Sequence, residues 1–200
     1  MRHLKTGTIA LFMLLFAAAA MAADQYTIDP AHSSATFSVR HMMISTVPGR
    51  FSEISGTINY DEKDITKSSV EATIKTASVT TDNQYRDKDL KSANYFDVEK
   101  YPEITFKSTK IEKRGEQLVA IGDFTMHGVT KQIELPFEIN KATTPRGTVI
   151  GATADTKLSR KEYGITSGAA MVGDEIKISL SVEGRPAKPA GAAAPSTDKK

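Results

Sequence analysis

Residues 129–140 read VTKQIELPFEIN, and this stretch decides the fold class. Val129, Lys131, Ile133, Leu135, Phe137 and Ile139 fall on one face of an extended chain, and all but Lys131 are apolar. Thr130, Gln132, Glu134, Pro136, Glu138 and Asn140 fall on the other. Strict period-two alternation over this length marks a strand with one buried and one wetted face. A slip of one residue would exchange the two faces wholesale, so the pattern also specifies register.

The same rhythm recurs on both sides of this stretch. Downstream, Ile176, Ile178, Leu180 and Val182 alternate with Glu175, Lys177, Ser179, Ser181 and Glu183, and Ile150 to Leu158 form a further row. Upstream, shorter rows run through Ala35 to His41, Ile54 to Tyr60, Val70 to Thr76, Ile104 to Ser108 and Leu118 to Phe124. Turn signals such as residues 61–64 (DEKD), Lys113-Arg114-Gly115, His127-Gly128 and Gly173-Asp174 separate most of them. About eight strands follow, which predicts an all-β domain. Sandwich and closed barrel are the two usual solutions. Residues 83–100 lack alternation, and Asp82 or Asn83 is placed to cap a short helix reaching about Ser92. The apolar rows hold many small residues (Ala35, Gly56, Ala72, Ala120, Gly122, Ala152, Ala154), which leave room inside a barrel unless larger neighbours fill it.

Of the 200 residues, the first 22 read as a cleaved export signal: Arg2 and Lys5, an apolar run from Thr8 to Ala20, then Ala20-Met21-Ala22. The run is too short to span a bilayer. The expected location is the periplasm, with a mature chain free of transmembrane spans. Residues 23–184 are the expected folded domain. Residues 185–200 are rich in Pro and Ala and are expected to be a disordered tail. The chain has no cysteine, so its core must hold without disulfides. Its net charge is +2, and Arg2 and Lys5 account for that excess, so the remainder is balanced and shows no basic stripe for nucleic acid.

No phosphate-binding glycine loop and no GxSxG elbow is present. His32, His41 and His127 lack the tight spacing of a metal site. Asp29, His32 and Ser33 form a weak candidate triad, and the paired Asp87 and Asp89 read as a solvated helix face. The sequence therefore points away from an enzyme, a resident cofactor and a metal. Arg40 and Arg86 are candidates for a barrel mouth, where a guanidinium can hold a polar head group; an ordinary surface ion pair is the simpler reading of each.

Longer strings carry a family resemblance. Residues 26–51 (YTIDPAHSSATFSVRHMMISTVPGRF), 86–109 (RDKDLKSANYFDVEKYPEITFKST), 122–135 (GDFTMHGVTKQIEL), 151–165 (GATADTKLSRKEYGI) and 172–184 (VGDEIKISLSVEG) together resemble the YceI family of bacterial periplasmic proteins. The resemblance implies an extended, lipocalin-like antiparallel β-barrel holding a long apolar ligand, typically a polyisoprenoid chain such as that of a quinone. It implies a carrier and no catalysis. Carried over by position, His32, Arg40, His41, Arg86, Tyr95, Phe96 and Tyr101 match family sites. Alternation adds Phe37, Val39, Ile58, Phe106, Phe124, Ile133 and Leu135 as channel wall. Asp89 departs from the family pattern, where many members have histidine, which leaves the head group open. The rival readings are a solid barrel with a structural or stress-protective role and, further off, a lipid hydrolase. An exposed strand edge leaves a homodimer open as well.

Overall fold

A computed structural model describes residues 23–145 and 147–187. The predicted signal segment and residues 188–200 of the predicted tail lie outside the described residues. The strands are β1 (Asp24–Ile28), β2 (Ser34–His41), β3 (Ser45–Phe51), β4 (Ile54–Tyr60), β5 (Ser69–Lys75), β6 (Val79–Thr80), β7 (Glu103–Arg114), β8 (Gln117–Met126), β9 (Val129–Thr144), β10 (Gly147–Ser159) and β11 (Val172–Pro186). Among the described residues one α-helix, α1 (Gln84–Lys91), lies between β6 and β7. It starts where the sequence places a cap: the Asn83 side chain accepts the Arg86 backbone N–H at 3.1 Å.

All strand pairs are antiparallel, and eight strands close into a ring in the order β1, β4, β5, β7, β8, β9, β10, β11 and back to β1. The barrel predicted from the family resemblance is therefore the fold. The remaining three strands are continuations. β1 and β2 are one path bent at Pro30, where a 3-10 turn (Pro30–His32) interrupts pairing because proline offers no N–H. β3 and β4 are one path bent at Ser52-Glu53, and β5 and β6 are joined by a 3-10 turn (Thr76–Ser78). The bends lie at one level: Glu53 N–H bonds to Ser78 Oγ at 3.2 Å, and Lys75 N–H to the Glu53 carbonyl at 3.0 Å. Below the bends, β1, β4 and β5 complete the ring. Above them, β2, β3 and β6 extend from β11 as a flap.

Nothing pairs β6 with β7, and α1 with the segment after it fills that opening. Its Phe96 ring packs edge-on against Phe51, which stacks on Phe37, with centroids 5.5 and 5.6 Å apart. Phe51, Ile54, Val79, Ile104, Met126, Tyr163 and Ile165 form the core at this capped end. The outer face carries cross-strand ion pairs such as Lys107–Glu71 at 2.6 Å and Lys157–Glu175 at 3.1 Å, which support register more than stability.

The C-terminal boundary differs from the sequence reading. β11 runs past Gly184 to Pro186, because Tyr26 and Thr27 of β1 pair with Pro186 and Arg185. Alternation fades there, while backbone pairing continues.

Candidate functional site

The inward rows do not fill the barrel. They enclose an apolar cavity with about 260 Å³ open to the centre of a water molecule. The small residues make this space. Ala72, Ala120, Ala152 and Ala154 lie on the wall, where leucine or phenylalanine would reach across. Ile58, Ile133, Leu135, Phe137, Ile178 and Leu180 share the wall with them, Leu135 paired directly with Ala120, and Phe137 and Leu180 flanking Ala154. The polar groups on the wall are few, and most are hydroxyls, among them Thr36, Thr105 and Thr156.

Phe37, Val39, Ile58, Phe96, Phe106, Phe124, Ile133 and Leu135 all line this cavity. Arg40, His41, Arg86 and Tyr101 are not among the lining residues. Arg40 follows Val39 on β2, so alternation itself turns it outward. Its guanidinium bonds the Met43 carbonyl and Thr46 Oγ1 in the β2–β3 hairpin. His41 shares the Val39 face but lies at the last ladder position before that hairpin, opposite Ser45. Arg86 bonds Thr81 through Nε to Oγ1 at 2.7 Å and through Nη2 to the carbonyl at 3.0 Å, which ties α1 to the end of β6. Tyr101 stacks on His127 with centroids 4.4 Å apart and covers Gly128. Asp89 is exposed on α1 and faces Asn94. The structure thus does not bring Arg40, His41, Arg86 and Asp89 together at a mouth.

The charged residue that does line the cavity is Arg160, only 3% exposed. It continues the inward row Ala154, Thr156, Leu158 by one more step of two, and that parity was the signal in the sequence. Its guanidinium donates to four backbone carbonyls: Gly173 at 2.9 Å, Ile165 at 2.9 Å, Ser167 at 2.7 Å and Val172 at 3.0 Å. These bonds hold the connection between β10 and β11 over the cavity end. Just behind, Asp174 accepts the Lys161 N–H at 3.0 Å and the Ser159 hydroxyl at 2.8 Å. Those bonds, with the positive charges of Lys161 and Arg160, hold its carboxyl below the usual range. The segment from β10 to β11 also accounts for Lys131, the cation within the apolar run Val129–Ile139 of β9. Its ammonium reaches Glu162 at 2.7 Å and lies 5.7 Å from the Tyr163 ring centre.

Asp29, His32 and Glu183 gather on the outside of the barrel with their ligand atoms within 4.8 Å of one another. The guanidinium of Arg185 already serves this group as its cation, with Nε 2.6 Å from Asp29 and 3.1 Å from Glu183. The His32 hydrogen bond, the Ala31 N–H and the Arg185 charge keep the Asp29 carboxyl below its ordinary range. This network orders the bend between β1 and β2, and the arrangement is that of an ion-pair cluster.

Comparison with known proteins agrees with this architecture. A family model described as a YceI-like domain matches residues 26–184. A UPF0312 protein of Serratia proteamaculans is 38% identical over 186 residues, covering 91% of this chain and 96% of the relative. The crystal structure of the Campylobacter jejuni YCEI protein superposes with a TM-score of 0.63 at 33% identity, covering 74% of this chain and 90% of that one. A structure described as a polyisoprenoid binding domain from Saccharophagus degradans has a TM-score of 0.64 at 14% identity, over 81% of this chain and 98% of that one, and so shows the shared fold. On this match across the whole barrel, the chain belongs to the YceI-like family.

Proposed function

We propose that this protein binds a single long apolar chain, of polyisoprenoid or similar lipid type, in its barrel and carries it through the periplasm after export. The observation that carries the reading is the continuous hydrocarbon wall with one buried cation at its capped end. Each buried methylene contributes about 0.8 kcal/mol. About ten of them give about 8 kcal/mol of gross burial energy. Association also costs on the order of 4–15 kcal/mol in lost freedom, so short chains are poor ligands and long ones are favoured. The description of the Saccharophagus degradans domain as polyisoprenoid binding supports the same class of ligand. Arg160 sits where a polar or anionic head group would come to rest.

The test is mass spectrometry of an organic extract from protein purified natively from the periplasm. The expected result is one isoprenoid or long acyl species in stoichiometric amount. A clean extract from folded protein overturns the reading. Phe106→Asp is expected to abolish retention, because it sets a carboxylate on the hydrocarbon wall. Lipid retained by a folded Phe106→Asp protein would count against that wall.

A further inference from the structure

Two loops meet beside the cap. The β2–β3 turn presents Met42, Met43 and Ile44, and the segment before β11 presents Ala169, Ala170 and Met171. The Met42 N–H bonds to the Met171 carbonyl at 2.6 Å, so the loops form one surface. Met42, Met43, Ile44 and Met171 are 53, 74, 80 and 54% exposed, and among the described residues Tyr85 is the only other large apolar side chain so exposed. Scattered apolar residues need no explanation, whereas a contiguous group marks an interaction site.

The backbone sharpens the point. Ile44 N–H closes the turn on the His41 carbonyl at 3.1 Å, and Met42 and Met43 both have positive φ, 50° and 60°. Asparagine and glycine take this conformation at little cost; methionine does not. The turn therefore holds two methionines in water in a conformation that neither favours.

We propose that the Met42–Ile44 and Ala169–Met171 loops seat this end of the barrel on an anionic bilayer surface. The inference rests on the carrier reading, for which the bilayer is donor or acceptor. Three observations choose the occupant. Six residues are far fewer than the roughly 20–30 a side of a stable protein interface, while a bilayer asks for no complementary shape. Residues 40–52 and 163–173 contain no carboxylate, and Arg40 stands exposed at the base of the turn, as a site facing anionic head groups requires. The patch also continues into the cavity: Val172 follows Met171, pairs with His41 and lines the wall, as does Val39.

The test is sedimentation of the mature chain with vesicles of phosphatidylethanolamine and phosphatidylglycerol. It is run on the wild type and on Met42→Asn/Met43→Gly, with extractable lipid read from the same preparations. The double variant relaxes the turn, so its Tm should rise while its vesicle partitioning falls by about tenfold or more. A wild type that fails to sediment, a variant that sediments equally, or a wild-type dimer that the variant breaks would each overturn the docking surface. Extractable lipid without vesicle binding overturns docking and leaves the carrier reading standing. Vesicle binding lost in the variant, with no extractable lipid, supports docking and overturns the carrier reading.

Discussion

Arg160 carries a full positive charge into a wall otherwise made of hydrocarbon and hydroxyls. Four carbonyls share that charge, and removing it strands all four. Arg160→Met should therefore lower stability by at least about 3 kcal/mol. In a domain of this size that is a drop in Tm of about 6–12 °C, readable by calorimetry. Arg160→Lys should not rescue it, because an ammonium cannot fork to four acceptors. Gly56 is the second residue on which the barrel depends. Its φ is 152°, and a Cβ there would stand 2.1 Å from the Glu71 carbonyl of β5. Gly56→Ala should lower Tm measurably, and an unchanged melting curve would refute that close approach. Single residues were the least legible scale in the sequence. The wall positions followed from parity, but Arg40 and Arg86 drew attention as isolated cations, and their bonds to nearby loop atoms cannot be read from spacing.

Among the elements, α1 is held to the end of β6 by Asp87 as well as by Arg86. Asp87 accepts from the Thr81 N–H at 2.7 Å, from the Thr80 hydroxyl at 2.9 Å and from the Thr81 hydroxyl. Burial opposes its ionisation, but these bonds outweigh burial and its carboxyl sits below the usual range. A group with a depressed folded pKa stabilises the fold above its unfolded value of about 3.9, and that contribution is lost as pH falls through the folded value. Melting curves at stepped pH should thus show the wild type losing Tm more steeply than Asp87→Asn below about pH 4, until the two converge. Parallel curves would show that the carboxylate does not hold the helix. The count of about eight was legible because each bent path carries one alternating row, on β2, β4 and β5, while β1, β3 and β6 carry none that was read from the sequence. The bends were not. Pro30 announces one, but the bends at Ser52-Glu53 and Thr76–Ser78 depend on bonds between distant strands. Pro136 has a positional meaning that alternation alone conceals. It lies immediately before Phe137, where the ladder of β9 with β10 begins, so its missing N–H costs no bond on that side.

For the molecule as a whole, the decisive quantity is the volume left inside, and it depends on small residues against large ones. Ala154→Phe places a ring in that space at an overpacking cost of about 1–3 kcal/mol. The variant should fold, with a lower Tm, and yield an extract depleted of lipid. Undiminished lipid in a folded Ala154→Phe protein would place the ligand elsewhere. Whether the barrel is hollow was only half legible: period two told which residues face inward, while the balance between small residues such as Ala72 and Ala120 and large ones such as Leu135 and Phe137 depends on how the closed ring brings its strands together. The ring itself has one further consequence. Its seam is the short pairing of Tyr26, Thr27 and Ile28 with Pro186, Arg185 and Gly184, elements from opposite ends of the described chain. A contact of such long sequence separation is slow to form, since the whole intervening loop must be ordered to close it. Closure at this seam and at the neighbouring β2–β11 ladder is expected to be among the slower steps of folding, and until it occurs the cavity lacks a complete wall. A chain caught before closure presents to its surroundings the same apolar rows that line the cavity, which makes that interval its time of greatest exposure to aggregation.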